Sequence, residues 1–301
     1  MPTPETRQRQ ALALLWITPA LWSVNYIVAR KAPEVVTPHL LALGRWGLAA
    51  LLLAWLARQE LWTQRRAVVA AWRQHLALGT LGMLVCGAWV YLGARTTGAM
   101  NIALIYAASP VLIALGAWLW LGERLWPRQM LGVAVALAGV THVIVQGQWL
   151  ALARVAWVPG DGWIVLAMLS WAGYALLLKK WASPLSAQAR LASTCAGGVV
   201  VLLPFALWEL GLPDTPAWGW RATGLVVVAA LVPGIGAYVA YGHVQKVLGA
   251  SRVAASLYLG PLYAALAAWG VLGEPMGLHH AVGAALILPG IFLASSRPAP
   301  R

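Results

Sequence analysis

Two stretches of the chain repeat one another, and this internal repeat limits the folds open to the sequence more than any other feature. Residues 98–123 match residues 249–274 without a gap at an offset of 151, with 11 of 26 positions identical. Both copies are long and apolar, and both carry a proline near the middle. A duplicated unit of this kind predicts two structurally related halves, which we place at residues 1–150 and 151–301.

The composition places these halves in a lipid bilayer. With 61% hydrophobic and 10% charged residues, the chain has too little polar surface to cover a water-soluble protein of 301 residues. A helix needs about 20 apolar residues to cross a membrane. We predict an all-α membrane protein with ten transmembrane helices, five in each half. The predicted spans are 11–30, 36–57, 75–95, 101–121, 128–147, 161–179, 187–208, 222–242, 252–273 and 278–296.

The basic residues predict how the spans are oriented. If both termini are cytoplasmic, 15 of the 21 basic residues fall inside and five outside, with Arg45 within a span. This bias follows the positive-inside rule. Because five spans is an odd number, the two halves enter the membrane from opposite sides and form inverted repeats. The net charge of +13 is spread over short loops, so we expect the bilayer and not a nucleic acid as the partner.

Prolines mark the predicted centre of the bundle. Pro110 and Pro261 align between the repeats and lie roughly 15 Å into their spans, close to the midplane. A proline there leaves a backbone carbonyl unpaired one turn earlier, which favours a position facing a cavity. We predict these two prolines and Pro233 to be hinges. The polar residues that flank the aligned pair, and that we expect to line the cavity, are Tyr106, Ser109, Ser256 and Tyr258.

Other polar and aromatic residues lie within the spans of both halves. Membrane-embedded polar side chains are usually paired or functional, and aromatic rings with polar tips suit an amphipathic ligand. Asn25 is either a ligand for a substrate or a hydrogen-bonding partner for another helix. The further candidates for substrate binding are Trp22, Tyr26, Tyr91, Trp171, Tyr174 and Tyr238.

Paired glycines in the two halves suggest a structural role. The repeat offset pairs Gly132 with Gly283 and Gly139 with Gly290, and each half thus has two glycines on one helical face that a neighbouring helix can approach closely.

Charged residues near or within the spans are of two kinds. The sequence predicts a structural role for two glutamates and leaves the role of one arginine open. We expect Glu123 and its repeat partner Glu274 to cap the helices that follow them. For Arg45, three alternatives remain: the side chain reaches the outer interface, binds a backbone carbonyl, or attracts an anionic substrate.

Nothing in the spans suggests catalysis. We find no paired carboxylates, nucleophile with a base, or metal-ligand cluster within them, and we expect no cofactor, metal or enzymatic activity. The two cysteines, Cys86 and Cys195, lie in separate spans and suggest neither a disulfide nor a metal site. None of the eight acidic residues falls in the middle half of a span, which disfavours an intramembrane carboxylate as proton carrier.

Taken in order, these motifs resemble the drug/metabolite transporter superfamily, in particular its EamA-type members. The resemblance rests on the five-plus-five spans, the early W-S-x-N segment that ends at Asn25, the aligned prolines and the two LGE endings. It implies a basket-shaped bundle with a central cavity formed by the first, third, fourth, sixth, eighth and ninth spans. The residues it carries into that cavity are Asn25, Tyr91, Tyr106, Ser109, Trp171, Tyr174, Tyr238 and Ser256.

The pattern is similar to that of bacterial exporters of aromatic amino acids. We therefore expect a monomeric carrier in the bacterial inner membrane that exports aromatic and other neutral amino acids by alternating access, as a facilitator. A drug or nucleotide-sugar carrier of the same superfamily is the alternative within transport. A membrane sensor or scaffold is the alternative outside it, although the chain has no segment polar enough for a soluble domain.

Overall fold

Apolar stretches separated by short polar connections fold into helices throughout the chain. The computed structural model describes residues 4–32, 34–93, 96–97, 99–267, 269–270 and 276–295. Its α-helices are α1 (Pro4–Lys31), α2 (Pro38–Leu56), α3 (Arg58–Thr63), α4 (Arg65–Ala70), α5 (Trp72–Gly79), α6 (Val90–Gly93), α7 (Ala99–Ala107), α8 (Ser109–Leu121), α9 (Pro127–Ile144), α10 (Pro159–Lys180), α11 (Ala187–Leu210), α12 (Trp220–Ala229), α13 (Ala237–Leu248), α14 (Ala250–Ser256), α15 (Gly260–Ala267) and α16 (Leu278–Ser295). Within these ranges no strand is present.

Seven helical segments are long and apolar enough to cross a membrane. They are Pro38–Leu56, Ile102–Leu121, Pro127–Ile144, Pro159–Lys180, Ala187–Leu210, Trp220–Leu248 and Leu278–Ser295. Large apolar side chains such as Leu51, Leu119 and Phe292 point outward and are more than half exposed, as a lipid-facing surface requires. The other three predicted spans are helical over most of their length, and the count of ten spans stays a prediction.

Two helices contain wide π-helical turns at corresponding places in the two halves. The first π segment is Thr80–Trp89, between α5 and α6, and the second is Ala230–Gly236, between α12 and α13. Adding the repeat offset of 151 to the first segment gives residues 231–240, which overlap the second segment at residues 231–236. Such turns often mark functional sites.

The aligned prolines also interrupt their helices in similar ways. Pro110 lies in the first turn of α8, after a break at Ala108. Pro261 is the second residue of α15, directly after a 3₁₀ turn at Leu257–Leu259. The chain thus breaks just before each proline, where the first helical turn tolerates it. The hinge role of these prolines stays a prediction.

Carboxylates join α2 and the following helix α3 to α11. Glu209, near the end of α11, accepts hydrogen bonds from the backbone N–H groups of His39 (2.9 Å) and Leu40 (3.2 Å) at the start of α2. Glu60, just beyond α2, accepts from the backbone N–H (2.5 Å) and the hydroxyl (2.6 Å) of Ser186, which precedes α11. Helices α2 and α11 therefore pack antiparallel, with Glu209 of α11 capping the N-terminus of α2 and Glu60 of α3 capping that of α11.

The role of Glu123 differs from the prediction. Its carboxylate does not cap α9, the next helix, where Gln129 instead accepts from the N–H of Trp126 at 3.2 Å. It accepts from the N–H groups of Ala250 (2.8 Å) and Ser251 (3.1 Å) at the start of α14. The reason is that α8 and α14 pack together across the two halves. Glu274 lies outside the described residues.

The predicted glycine faces meet each other. A Cβ atom on Gly132 would lie 2.5 Å from the carbonyl oxygen of Gly290, and one on Gly139 would lie 3.0 Å from that of Gly283. Helices α9 and α16 thus pack antiparallel with their backbones nearly in contact. The prediction that these glycines allow close helix approach is confirmed.

Candidate functional site

Aromatic side chains from four helices form one cluster in the interior of the bundle. The ring centroid of Trp22 in α1 lies 5.3 Å from that of Trp171 in α10 and 5.6 Å from that of Tyr238 in α13. Trp171 stacks on Tyr174 at 5.4 Å, and Trp46 in α2 meets Tyr238 edge-on at 5.0 Å. We call Trp22, Trp46, Trp171, Tyr174, Tyr238 and Tyr241 the aromatic cluster. It combines four rings that the sequence predicted with two, Trp46 and Tyr241, that lay outside the predicted set.

A buried arginine lies beside the aromatic cluster. Arg45, near the middle of α2, is 7% exposed and donates to the side-chain oxygen of Asn25 (3.1 Å) and to the backbone carbonyl of Pro233 (3.1 Å). Its guanidinium carbon lies 4.4 Å from the centre of the Trp46 ring. Of the three alternatives for Arg45, the structure shows the backbone carbonyl and not an extension to the interface. Asn25 therefore forms a hydrogen bond between α1 and α2.

Side chains from other helices satisfy backbone carbonyls of the two π segments. Ser170 donates to Leu81 (2.8 Å) and Tyr238 to Gly82 (3.4 Å) in the first segment. Arg45 donates to Pro233 in the second. Irregular backbone is tolerated in a membrane only where such partners or water are present. Carbonyl groups of the two π segments therefore help to fix the positions of Tyr238, in the aromatic cluster, and of Arg45.

The remaining predicted residues occupy several environments. The hydroxyl oxygen of Tyr106 lies 3.8 Å from the thiol sulfur of Cys86. Ser109 is buried at the start of α8. Ser256 is fully buried and donates within its own helix to Val253, at 2.7 Å. Tyr258 is 1% exposed, and its hydroxyl has no hydrogen-bond partner.

Two predicted residues fall partly outside the description. The backbones of Tyr26 and Tyr91 are helical, but their side chains lie outside the described part of the chain.

Two buried features were missed by sequence reasoning. The ring nitrogen Nδ1 of His39 lies 2.7 Å from Glu209, and both side chains are at least 95% buried. The only signal was a histidine near the start of a predicted span and a glutamate just beyond the end of another. Trp46 was not among the predicted residues, although it directly follows Arg45, a basic residue well inside a predicted span.

The described residues contain no group of three His, Cys, Asp or Glu side chains placed to hold a metal ion. The interior polar groups of the site are hydroxyls, indole and backbone groups, and one guanidinium. Such a set orients a ligand by hydrogen bonds and aromatic contact.

Known proteins share this sequence pattern along nearly the whole chain. The model of the EamA-like transporter family matches twice, at residues 10–145 and 158–296. An uncharacterized transporter of Archaeoglobus fulgidus is 25% identical over 94% of this chain and 96% of its own length. A probable terminal-alkyne amino-acid exporter of Streptantibioticus cattleyicolor is 30% identical over 73% of this chain and 71% of its own length.

The fold also has a solved counterpart. One crystal structure of a protein superposes with a TM-score of 0.74 over 95% of this chain and 97% of that chain, at 19% identity. That likeness concerns the fold alone. With the family model matching both halves, and with several helices suited to crossing a membrane, the chain is a multi-pass membrane protein that belongs to the EamA-like transporter family of the drug/metabolite transporter superfamily.

Proposed function

We propose that this protein exports small amphipathic metabolites, foremost aromatic and other neutral amino acids, across the bacterial inner membrane. The single observation that carries the proposal is the aromatic cluster, in which rings from α1, α2, α10 and α13 meet. Ring faces and edges offer an apolar surface for an aromatic or aliphatic side chain, and the tyrosine hydroxyls offer polar contacts. Membership in a transporter family and the amino-acid exporter among the relatives support the same substrate class.

The mechanism we propose is alternating access between two inverted halves of five spans each, with both termini cytoplasmic. The double family match and the aligned π segments support a repeat, and the excess of basic residues on one side supports the orientation. The hinges would be the helix breaks before Pro110 and Pro261 and the π segment that contains Pro233. A monomer suffices, since both halves lie in one chain.

We further propose that export runs downhill. No acidic residue is predicted in the middle of a span, and the carboxylates of Glu60, Glu123 and Glu209 serve as helix caps. A carrier with these features needs no bound cofactor.

The test is counterflow of labelled tryptophan into liposomes that contain the purified protein and unlabelled amino acid. We expect uptake by the wild-type protein and a loss of about tenfold or more for Trp171→Ala, because its ring contacts four others of the cluster. Trp118→Ala is the matched control, since Trp118 is 52% exposed on α8, and it should transport normally.

Two outcomes would overturn the proposal. One is the absence of counterflow for tryptophan, phenylalanine, threonine and methionine alike, together with transport of a phosphorylated solute, which would favour a nucleotide-sugar type of carrier. The other is equal loss in Trp171→Ala and Trp118→Ala, which would place the site elsewhere.

A further inference from the structure

We infer that Arg45 binds the carboxylate of the transported solute and that Trp46 is a second donor to it. The inference rests on the proposed function and narrows the solutes to molecules with one carboxylate and an apolar side chain. It starts from the unused donors of these two neighbouring residues. The Nε atom of Arg45 and the indole Nε1 of Trp46 are both buried and have no hydrogen-bond partner, which is costly for a protein unless a ligand or water satisfies them.

No carboxylate pairs with Arg45 among the residues that the structure describes. Its described partners, the Asn25 amide and the Pro233 carbonyl, are neutral. Among the residues that the structure describes, the ion pairs are formed by other side chains, such as His39 with Glu209. A cation near the middle of a membrane helix is expensive and is usually retained for function. An anionic ligand supplies the missing countercharge.

A glycine of each π segment packs close to one of these donors. A Cβ atom on Gly234 would lie 3.6 Å from Arg45 Nε and 2.9 Å from the carbonyl oxygen of Ala229. One on Gly87 would lie 3.3 Å from Trp46 Nε1 and 3.2 Å from the carbonyl oxygen of Gly82. Gly234 belongs to the second π segment and Gly87 to the first. Thus each unused donor faces a position without a side chain, and both positions lie in the irregular segments of the bundle.

The position of the two donors selects the class of ligand. Guanidinium groups match the two oxygens of a carboxylate. The Trp46 ring contacts Tyr238, whose ring contacts Trp22 and Trp171, so a carboxylate bound here leaves an apolar side chain beside the aromatic cluster. A phosphate ester carries nearly two negative charges, and one guanidinium would leave part of that charge unpaired.

The direct test compares ligands that differ only in the acid group. Thermal unfolding of the wild-type protein is measured with indole-3-acetate and with indole-3-acetamide, and counterflow of labelled tryptophan is measured against tryptophan and tryptophanamide. We expect the acid to stabilise and compete roughly 10- to 100-fold better than the amide, the range for a charge-assisted pair. Since the wild-type protein suffices here, the test does not depend on a variant that folds.

Variants then assign the discrimination to Arg45. Arg45→Gln should bind acid and amide equally. Arg58→Gln is the matched control, because Arg58 also donates to a backbone carbonyl and lies over a tryptophan ring but is exposed at the helix end, and it should keep the preference. Trp46→Phe should reduce the preference by a smaller factor.

The outcomes separate this inference from the proposed function. Tryptophan transport with no preference for acid over amide would overturn the role of Arg45 and leave the exporter intact. An acid preference that persists in Arg45→Gln would do the same. Stabilisation by the acid, lost in Arg45→Gln, without any tryptophan transport would support the carboxylate site and overturn the amino-acid exporter.

Discussion

Single glycines fix the distance between α9 and α16. The backbone carbonyls of Gly290 and Gly283 lie where side chains of Gly132 and Gly139 would otherwise be. Helix association in a membrane depends on such close packing because lipid provides no hydrophobic drive between helices. These positions are therefore intolerant of even one added methyl group.

We expect Gly132→Ala to destabilise the protein by about 1–3 kcal/mol, since the added atom meets backbone that has no alternative position. The control is Gly242→Ala, a helical glycine in α13 with no atom within 4 Å of an added Cβ, and a gain of up to about 1 kcal/mol from helix propensity is expected there. Thermal unfolding in one detergent, followed by tryptophan fluorescence, measures both. Equal midpoints for the two variants would refute the close contact.

At the scale of helices, carboxylates from one half cap helices of the other. Glu209 of α11 caps α2, Glu60 of α3 caps α11, and Glu123 joins the end of α8 to the start of α14. Helix N-termini expose unpaired N–H groups and a partial positive charge, which a carboxylate neutralises. In a bundle with few charged residues, these contacts hold helix ends that would otherwise need water.

Removal of one such charge should lower the stability of the whole protein. Glu209→Gln is expected to cost about 1–3 kcal/mol, because a buried acceptor of charge-assisted hydrogen bonds becomes neutral. Glu5→Gln is the control, as Glu5 pairs with exposed Arg9 one turn away, and such surface pairs contribute little. The same unfolding assay applies, and unchanged stability in Glu209→Gln would contradict the proposed role of the cap.

Helix positions could be predicted from the sequence, whereas their partners could not. Apolar runs of sufficient length located the helices, and the spacing of Gly132 and Gly139 indicated a contact face. Both signals are local. The target of Glu123, the pairing of His39 with Glu209 and the contacts of Arg45 depend on which helices meet across the halves, and no short-range pattern encodes that. The π segments were missed because glycine and proline permit several irregular conformations.

At the scale of the whole molecule, the sequence repeat and the paired helices point to two related halves around a shared interior. The proposed inverted arrangement predicts that the N-terminus and C-terminus lie on the cytoplasmic side and that the segment Trp149–Arg154, between the proposed halves, lies on the other. Alkaline phosphatase should therefore be active when it is fused at the central segment and inactive when it is fused at either terminus. Termini on opposite sides would exclude an even number of spans.

The central claim is that the interior site opens alternately to each side of the membrane. Cys86, beside Tyr106, is the natural probe, and Cys195→Ala removes the chain's only other thiol. A small membrane-impermeant thiosulfonate, added to either side of sealed vesicles, should react with Cys86 from both sides, and tryptophan should slow the reaction from both. Reaction from one side only, or rates unaffected by tryptophan, would contradict the account.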